Sequence, residues 1–198
     1  MKKLLLATAL TTLSTFTAAQ AETWYPDPTH TDVVITWNHA GFSMQTAKFH
    51  EVEGTLDFSE GDIANAKADF SVIVDSVDTG VEALDTELVG ENFFNAAEYP
   101  AIRFVSTSVE QTGDMTVKAT GELTIKDVTG PATFDITVHN MGAHPLGDMF
   151  DYNKGEWLGM TATTTIMRSE FGIDTFIPVG SDEITIDINT ELRAGGWE

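Results

Sequence analysis

The feature that most constrains the fold is a two-residue alternation of apolar and polar side chains along most of the chain. From Ala66 to Val74, for example, Ala, Phe and Val alternate with Lys, Asp and Ser. Successive side chains of a β-strand point to opposite faces, so the pattern predicts strands with one buried and one solvated face. Eight such runs cover residues 33–39, 52–58, 66–74, 101–109, 115–125, 132–138, 157–168 and 184–192.

A single helical segment interrupts the alternation between the third and fourth predicted strands. Leu84 and Leu88 lie at helical spacing, Phe93 and Phe94 follow, and Pro100 ends the segment. So short a helix cannot bury all of these side chains by itself. We therefore expect the segment to pack over the mouth or the flank of the sheet, as a lid beside a ligand path.

The connections favour antiparallel neighbours. Residues 111–114 and 127–131 have the composition of short turns. Eight antiparallel strands must protect their edges, and closure into a barrel does so directly. The predicted fold class is therefore all-β, an eight-stranded antiparallel barrel with a short helical insertion. A two-sheet sandwich is the alternative that alternation alone leaves open.

The N-terminus has the three parts of a secretory signal peptide. Met1-Lys2-Lys3 is basic, Leu4 to Thr17 is apolar and uncharged, and Ala19-Gln20-Ala21 places small residues at the cleavage site. The apolar stretch is short and interrupted by Thr and Ser, which argues against a membrane anchor. We expect a signal peptide at 1–21, a single mature domain at 22–198 and a periplasmic location.

Charge and cysteine content exclude several kinds of site. Without Lys2 and Lys3 the chain has 8 basic and 31 acidic residues, a net charge of −23. An acidic surface of this strength repels nucleic acid and anionic lipid headgroups. The chain has no Cys, which excludes disulfides and thiolate metal ligands, so core burial must hold the fold together.

The inward-facing positions allow two interpretations of the barrel interior. In the seven runs from Val52 onward, no residue in phase with the apolar face is charged except Arg168 at the end of its run, and nine are small: Gly54, Ala66, Ala68, Ser106, Ser108, Ala119, Gly121, Ala132 and Ala162. An eight-stranded barrel is just wide enough to be filled by side chains or to hold one small ligand. From the residues alone, a lined cavity and an interior filled by bulky aromatic residues are equally good predictions.

Two polar residues continue the inward phase, His39 in the first run and Arg168 in the seventh. Both are expected at a barrel end, where an interior meets water. An Arg there can hold a ligand headgroup through several donors, or it can anchor a loop by hydrogen bonds. For His39 the alternatives are a ligand contact and a neutral, hydrogen-bonded rim residue.

Signals of catalysis, metal binding and cofactor binding are weak. The five His residues are not spaced as HxH or HxxxH pairs, and the chain has no GxSxG elbow, phosphate-binding glycine loop or Cys nucleophile. We predict no catalytic residue, no metal site and no cofactor. The candidate for a rival lipid-modifying enzyme is His39 with Asp85.

Seven segments form an ordered set of motifs along the chain: His39-Ala40-Gly41-Phe42-Ser43, Phe49-His50-Glu51-Val52-Glu53-Gly54, Asp75-Ser76-Val77-Asp78-Thr79, Asn92-Phe93-Phe94-Asn95, Tyr99-Pro100-Ala101-Ile102-Arg103-Phe104, Gly121-Glu122-Leu123-Thr124-Ile125 and Arg168-Ser169-Glu170-Phe171-Gly172-Ile173. Taken in order, these segments resemble the YceI-like family of periplasmic, lipid-binding, lipocalin-like proteins. Each motif is weak alone, but the ordered set is specific and covers essentially the whole mature chain. One departure is Leu84-Asp85, where the family often has Arg-Asp.

The resemblance implies a lipocalin-like barrel that binds a polyisoprenoid or a fatty-acyl-type lipid without catalysis. The expected cavity-lining residues are Trp37, His39, Phe42, Phe58, Phe70, Leu88, Phe94, Phe104, Ala119, Gly121, Phe134, Met160, Arg168 and Phe171. A lipid-modifying enzyme using the same cavity and a stress-response structural protein with a filled barrel are the rival functions. Whether the protein forms a homodimer stays open at this point.

Overall fold

The computed structural model of the chain describes residues 21–59 and 61–197. Its strands are β1 (Glu22–His39), β2 (Ser43–Phe49), β3 (Val52–Phe58), β4 (Lys67–Ile73), β5 (Val77–Asp78), β6 (Ala101–Gly113), β7 (Thr116–Ile125), β8 (Val128–Ala143), β9 (Glu156–Met167) and β10 (Glu183–Ala194). The helix α1 spans Glu82–Val89, and 3₁₀ helices span Ile63–Asn65, Val74–Ser76, Asp151–Asn153 and Arg168–Phe171. The expected signal peptide, apart from Ala21, lies outside the described residues.

The strands form one antiparallel sheet that closes on itself. Around the ring, β1 is followed by β3, β4, β6, β7, β8, β9 and β10, and β10 pairs again with β1. The closing pair runs from Trp24↔Ala194 to Thr36↔Thr185. β2 pairs with the second half of β1 while β3 pairs with its beginning, so β2 and β3 together occupy one position of the ring. The predicted eight-stranded barrel is confirmed, and closure removes the sandwich alternative.

Three strand assignments from the sequence need correction. β2 was not predicted, because most of its residues are exposed on both faces and show no alternation. The stretches 111–114 and 127–131 were predicted as turns, but β6 continues to Gly113 and β8 already begins at Val128. The connection between β7 and β8 is the pair Lys126-Asp127, and Lys126 has the positive φ of 57° that so tight a hairpin requires.

A β-bulge in β6 changes which residues face inward. Ser106 pairs with Gly121, but Ser108 pairs with Thr120 and Val109 with Ala119, so one extra residue lies in β6. A one-residue shift exchanges the two faces of a strand. Val109 therefore faces the interior beyond the bulge, and Ser108 does not, contrary to the sequence prediction.

The helical insertion closes one end of the barrel. Asp85 Oδ1 accepts hydrogen bonds from the amide (2.7 Å) and hydroxyl (2.6 Å) of Thr79, which joins α1 to the end of β5. After α1 the chain turns back, and the amide of Phe94 donates to the carbonyl of Leu88 at 3.0 Å. Leu88 and Phe94 are both buried. Within 21–59 and 61–197, no helix is long and apolar enough to cross a membrane.

The interior contains two apolar clusters at opposite ends. The larger, with sixteen buried residues that include Leu88, Phe94 and Phe171, lies at the end closed by α1, which we call the helix end. The smaller has three buried residues, Trp24, Leu158 and Leu192. Its end of the barrel carries the exposed Met115 and Met141, and we call it the methionine end.

Candidate functional site

An elongated cavity of about 720 Å³ runs through the barrel from the helix end to the methionine end. Its lining comes from every strand of the ring and from α1, and its middle is apolar. The ionisable residues in the lining are His39, Glu87 and Arg168 at the helix end and Asp114 at the methionine end. The arrangement fits a long apolar molecule better than a compact polar one, because burying a polar group without a hydrogen-bond partner costs free energy.

Two inward-facing glycines keep the aromatic residues from filling this space. A Cβ on Gly54 would overlap the backbone of Asp69 and Phe70 and the ring of Phe70. A Cβ on Gly121 would likewise overlap the carbonyl of Val105 and the ring of Phe104. The rings of Phe70 and Phe104 therefore pack against the barrel wall, where Gly54 and Gly121 have no side chains. The filled interior expected in one interpretation is not observed.

The structure brings most of the sequence-predicted cavity residues together. Eleven of the fourteen lie in the lining: Trp37, His39, Phe58, Phe70, Leu88, Phe94, Phe104, Ala119, Phe134, Met160 and Arg168. Near the middle, the rings of Phe104 and Phe134 meet edge to face with centroids 5.0 Å apart. The predicted lid also takes part, because Leu84, Leu88 and Phe94 contribute to the lining at the helix end.

The other three of the fourteen, Phe42, Gly121 and Phe171, do not lie in the lining. Phe42 follows the β1–β2 turn at Ala40 and Gly41, both at positive φ, and is 91% exposed. Gly121 faces inward, but the ring of Phe104 covers it. Phe171 is buried in the 3₁₀ helix Arg168–Phe171. Its ring packs against Gly130, 3.4 Å from the position that a Cβ would occupy there.

Arg168 lies at the helix end of the cavity and is 8% exposed. Its Nε donates to the carbonyl of Ser181, its Nη1 to those of Ile173 and Thr175, and its Nη2 to that of Gly180, all at 2.9–3.0 Å. Burial lowers the pKa of Arg168, although the nearby carboxylates of Asp182 and Asp174 oppose that shift. Loop anchoring, one of the two roles considered from the sequence, is therefore observed.

His39 also lines the helix end, but its side chain is exposed. Its backbone forms a bridge with Gly180, which ties the end of β1 to the loop that Arg168 anchors. The carboxylate of Asp85 is already engaged by Thr79, and no hydrogen bond or ion pair joins Asp85 to His39, both of which the structure describes. His39 and Asp85 therefore do not form an oriented pair in this structure.

A polar cluster that the sequence did not reveal lies beside the methionine end, outside the cavity. Asp27 is 0% exposed, and its Oδ1 accepts hydrogen bonds from the amide and hydroxyl of Thr29, both at 2.8 Å, and from the hydroxyl of Tyr152 at 2.6 Å. Its Oδ2 lies 2.7 Å from Nδ1 of His30. The possible ligand atoms of Asp27, His30 and Glu191 lie within 4.8 Å of one another. The hydrogen bond from Tyr152 ties this cluster to the loop between β8 and β9.

Burial alone would raise the pKa of Asp27, but the hydrogen bonds from Tyr152, His30 and Thr29 outweigh burial and lower it. The hydrogen bond to Asp27 in turn raises the pKa of His30. The two residues therefore favour an ion pair, which the hydroxyl of Tyr152 connects to the loop between β8 and β9.

Trp24 is a further buried residue that sequence analysis missed, because it precedes the first predicted strand. It is 4% exposed and lies opposite Leu56, a lining residue. Among the described side chains, its Nε1 is the one buried polar atom that has no hydrogen-bond partner. The indole of Trp157, by contrast, donates to the carbonyl of Asn153 at 3.0 Å.

The amino-acid sequence is similar to a known protein family. Residues 24–192 match the family model described as the YceI-like domain. A relative called "UPF0312 protein", from Shewanella denitrificans, is 30% identical over 194 residues, which are 96% of this chain and 98% of the relative.

Two solved structures have the same fold at low sequence identity. The crystal structure of Burkholderia cenocepacia BcnA has a TM-score of 0.73 at 22% identity and covers 84% of this chain and 98% of its own. A polyisoprenoid binding domain from Saccharophagus degradans has a TM-score of 0.65 at 14% identity and covers 86% and 98%. With the family model matched over nearly the whole barrel, the chain belongs to the YceI-like family.

Proposed function

We propose that this protein is a periplasmic binding or carrier protein that holds a polyisoprenoid, or a similar long-chain lipid, inside the barrel. The observation that carries the proposal is the continuous apolar cavity between two polar ends. Its volume of about 720 Å³ lies within the ~300–1,000 Å³ typical of ligand pockets. The name of the Saccharophagus degradans domain, which has the same fold, supports an isoprenoid as the ligand class.

Chain burial can supply the affinity. Each buried CH₂-sized group contributes about 0.8 kcal/mol, so a five-carbon isoprene unit contributes about 4 kcal/mol at most. A micromolar complex needs roughly 8 kcal/mol net, after several kcal/mol for the loss of freedom on association. Four or more buried units suffice without a strong polar contact.

The rival functions have less support. A structural protein with a filled barrel does not need a cavity of this volume. An enzyme acting on a lipid would need a positioned nucleophile or base in the lining, and His39 is exposed while Asp85 is held by Thr79. A noncatalytic role is therefore the better proposal.

Titration with prenyl alcohols of increasing length tests the proposal. Affinity should rise with each added isoprene unit until the cavity is full and then level off. Ala119→Phe, which adds a ring at a buried lining position, should weaken the longest alcohols most. Lys118→Phe is the matched control, because Lys118 is the adjacent residue on the outer face and pairs there with Asp135. An affinity that does not change with chain length would contradict burial in the cavity.

The periplasmic location has its own test. Intact mass spectrometry of protein recovered from the periplasm should give a chain that starts at Glu22. A mature protein that retains Lys2 and Lys3 would contradict export with cleavage after Ala21.

A further inference from the structure

Methionine supplies all of the sulfur in this protein, because the chain has no Cys. Thioether sulfur is oxidised reversibly to the sulfoxide, and exposure to solvent decides which side chains react first. Of the six Met residues within 21–59 and 61–197, five are exposed: Met44, Met115, Met141, Met149 and Met167. A peroxide in the surrounding water can therefore reach these five without unfolding of the protein.

Two of the five, Met115 and Met141, also line the cavity. They lie at the methionine end, where Met141 pairs across the sheet with Leu158 of the smaller buried cluster. Met115 is 47% exposed and Met141 is 38% exposed, so each side chain is open to solvent and is part of the apolar lining as well. The other three exposed Met side chains do not contribute to the lining.

We propose that Met115 and Met141 form an oxidation site through which a peroxide lowers the affinity of the barrel for its lipid. The thioether sulfur attacks one oxygen of hydrogen peroxide, an S–O bond forms and the O–O bond breaks. The sulfur is oxidised by two electrons, and the second oxygen is reduced and leaves with both protons as water. This inference rests on the proposed function, because it concerns the same cavity, and adds a chemical signal that changes binding.

The physical effect falls on the lipid complex. A thioether is apolar and packs against an apolar chain, whereas a sulfoxide is polar and chiral. A lipid chain that covers the sulfoxide oxygen removes water from it, and burying a polar group without a hydrogen-bond partner costs free energy. In the empty barrel the same oxygen stays hydrated, because Met115 and Met141 are exposed. Oxidation should therefore weaken binding much more than it weakens the fold.

The test is the affinity for geranylgeraniol before and after brief treatment with hydrogen peroxide, with peptide mass spectrometry to locate each added oxygen. Oxidation of Met115 and Met141 should lower the affinity of the unmodified protein by roughly fivefold or more. Methionine sulfoxide reductases should restore it, since the sulfoxide is reversible. Urea denaturation of the treated protein should still show a cooperative transition.

The variants are each compared with themselves before treatment. In Met115→Leu/Met141→Leu the ratio of the two affinities should stay near one, because no thioether remains at these positions. Met44→Leu/Met149→Leu is the matched control: it removes two exposed thioethers outside the lining, and it should lose affinity as the unmodified protein does. Met115→Gln/Met141→Gln places polar side chains at the same positions and should lower the affinity without any oxidant.

The outcomes separate this inference from the proposed function. An equal loss of affinity in Met115→Leu/Met141→Leu, for example by oxidation of the lining residue Met160, would overturn the assignment of the site. Oxidation of Met115 and Met141 without a change in affinity, no oxidation of either under conditions that oxidise Met44, or loss of the urea transition would overturn the inference as well. Each of these results leaves the lipid cavity intact. Failure of the untreated protein to bind any prenyl alcohol would overturn the inference and the proposed function together.

Discussion

The two ends of the barrel differ in how they are held together. At the helix end, sixteen buried apolar residues form one cluster, and Arg168 connects four loop carbonyls. At the methionine end, three buried residues form the corresponding cluster, and the lining includes the exposed Met115 and Met141. Local stability follows buried apolar contact and protected hydrogen bonds, so the helix end should open less readily.

This difference changes the role expected of the helical insertion. From the sequence, the segment around α1 was interpreted as a lid, and lids usually come from the less stable parts of a fold. In the structure Leu88 and Phe94 belong to the larger cluster, and the rings of Phe49 and Phe94 meet edge to face at 5.7 Å. The insertion is a packed cap. At the methionine end, the flexible, polarizable side chains of Met115 and Met141 line the cavity and suit contact with a variable apolar chain.

Among the variants that test this difference between the two ends, replacement of Arg168 should change the free energy of unfolding most. Arg168→Met keeps an apolar stem but leaves four carbonyl oxygens without their donor. Hydrogen bonds to charged groups contribute about 1.5–3 kcal/mol each, so we expect a loss of at least ~3 kcal/mol in the free energy of unfolding. Urea denaturation measures it. Arg103→Met, which removes an exposed pair with Asp69, should have a far smaller effect. Equal effects would contradict a special role of Arg168 at the helix end.

Side-chain truncation compares the apolar packing of the two ends. Leu88→Ala removes a buried side chain from the larger cluster and should cost roughly 2–4 kcal/mol of unfolding free energy. Met141→Ala removes an exposed side chain at the other end and should change stability by less than about 0.5 kcal/mol. If Met141→Ala proved as destabilising as Leu88→Ala, the methionine end would be packed as firmly as the helix end.

A structural feature could be predicted from the sequence when it depends on residues that are neighbours in the chain, and not when it depends on contacts between strands. The alternation from Ala66 to Val74 depends only on neighbouring residues, and the barrel follows from eight such runs and the need to protect their edges. β2 could not be predicted, because its first four residues are all exposed and only Ala47 and Phe49 are buried, which is too short a run to show alternation. The bulge between Ser106 and Ser108 is a property of pairing with β7, which periodicity within β6 does not report.

The residues that line the cavity could likewise be predicted where local alternation alone decides which way a side chain faces. Residues that face inward by alternation, such as Phe70, Ala119 and Met160, do line it. Gly121 was misjudged because the ring of Phe104 covers it, and that contact depends on χ angles on a neighbouring strand. The carbonyl partners of Arg168 come from a loop of irregular backbone. No residue pattern encodes their convergence.

Hydrogen exchange compares the ends without any substitution. Amides of α1 should exchange more slowly than those of 146–151 in the β8–β9 loop, because Leu88 is buried whereas Met149 and Phe150 are exposed. Added farnesol should further slow exchange in 84–94, where side chains line the cavity. Faster exchange in α1 than in the loop would reverse the comparison. Unchanged exchange in 84–94 with farnesol demonstrably bound would count against a role of the insertion beside the ligand.

The smallest expected effect is a pH dependence confined to the methionine end. The pKa of His30 is raised above its ordinary value of 6.5, chiefly by its hydrogen bond to Asp27, so its stabilising contribution is complete below pH 6.5 and is lost as the pH rises through the raised pKa. The pKa of Asp27 is lowered from 3.8, so its contribution is present above that pH and is lost only in stronger acid. The pair therefore stabilises the fold most between those two values.

His30→Asn keeps a hydrogen-bond donor and removes the titration. Because His30 is largely exposed, we expect the unmodified protein to exceed the variant in unfolding free energy by less than about 1 kcal/mol near pH 5.5. The difference should shrink toward pH 8, when His30 has lost its proton. Because Asp27 and Tyr152 anchor the loop between β8 and β9, hydrogen exchange of that loop should follow the same pH dependence while α1 does not. A difference that grows with rising pH would have the wrong sign and would show that His30 does not pair with Asp27 as a cation.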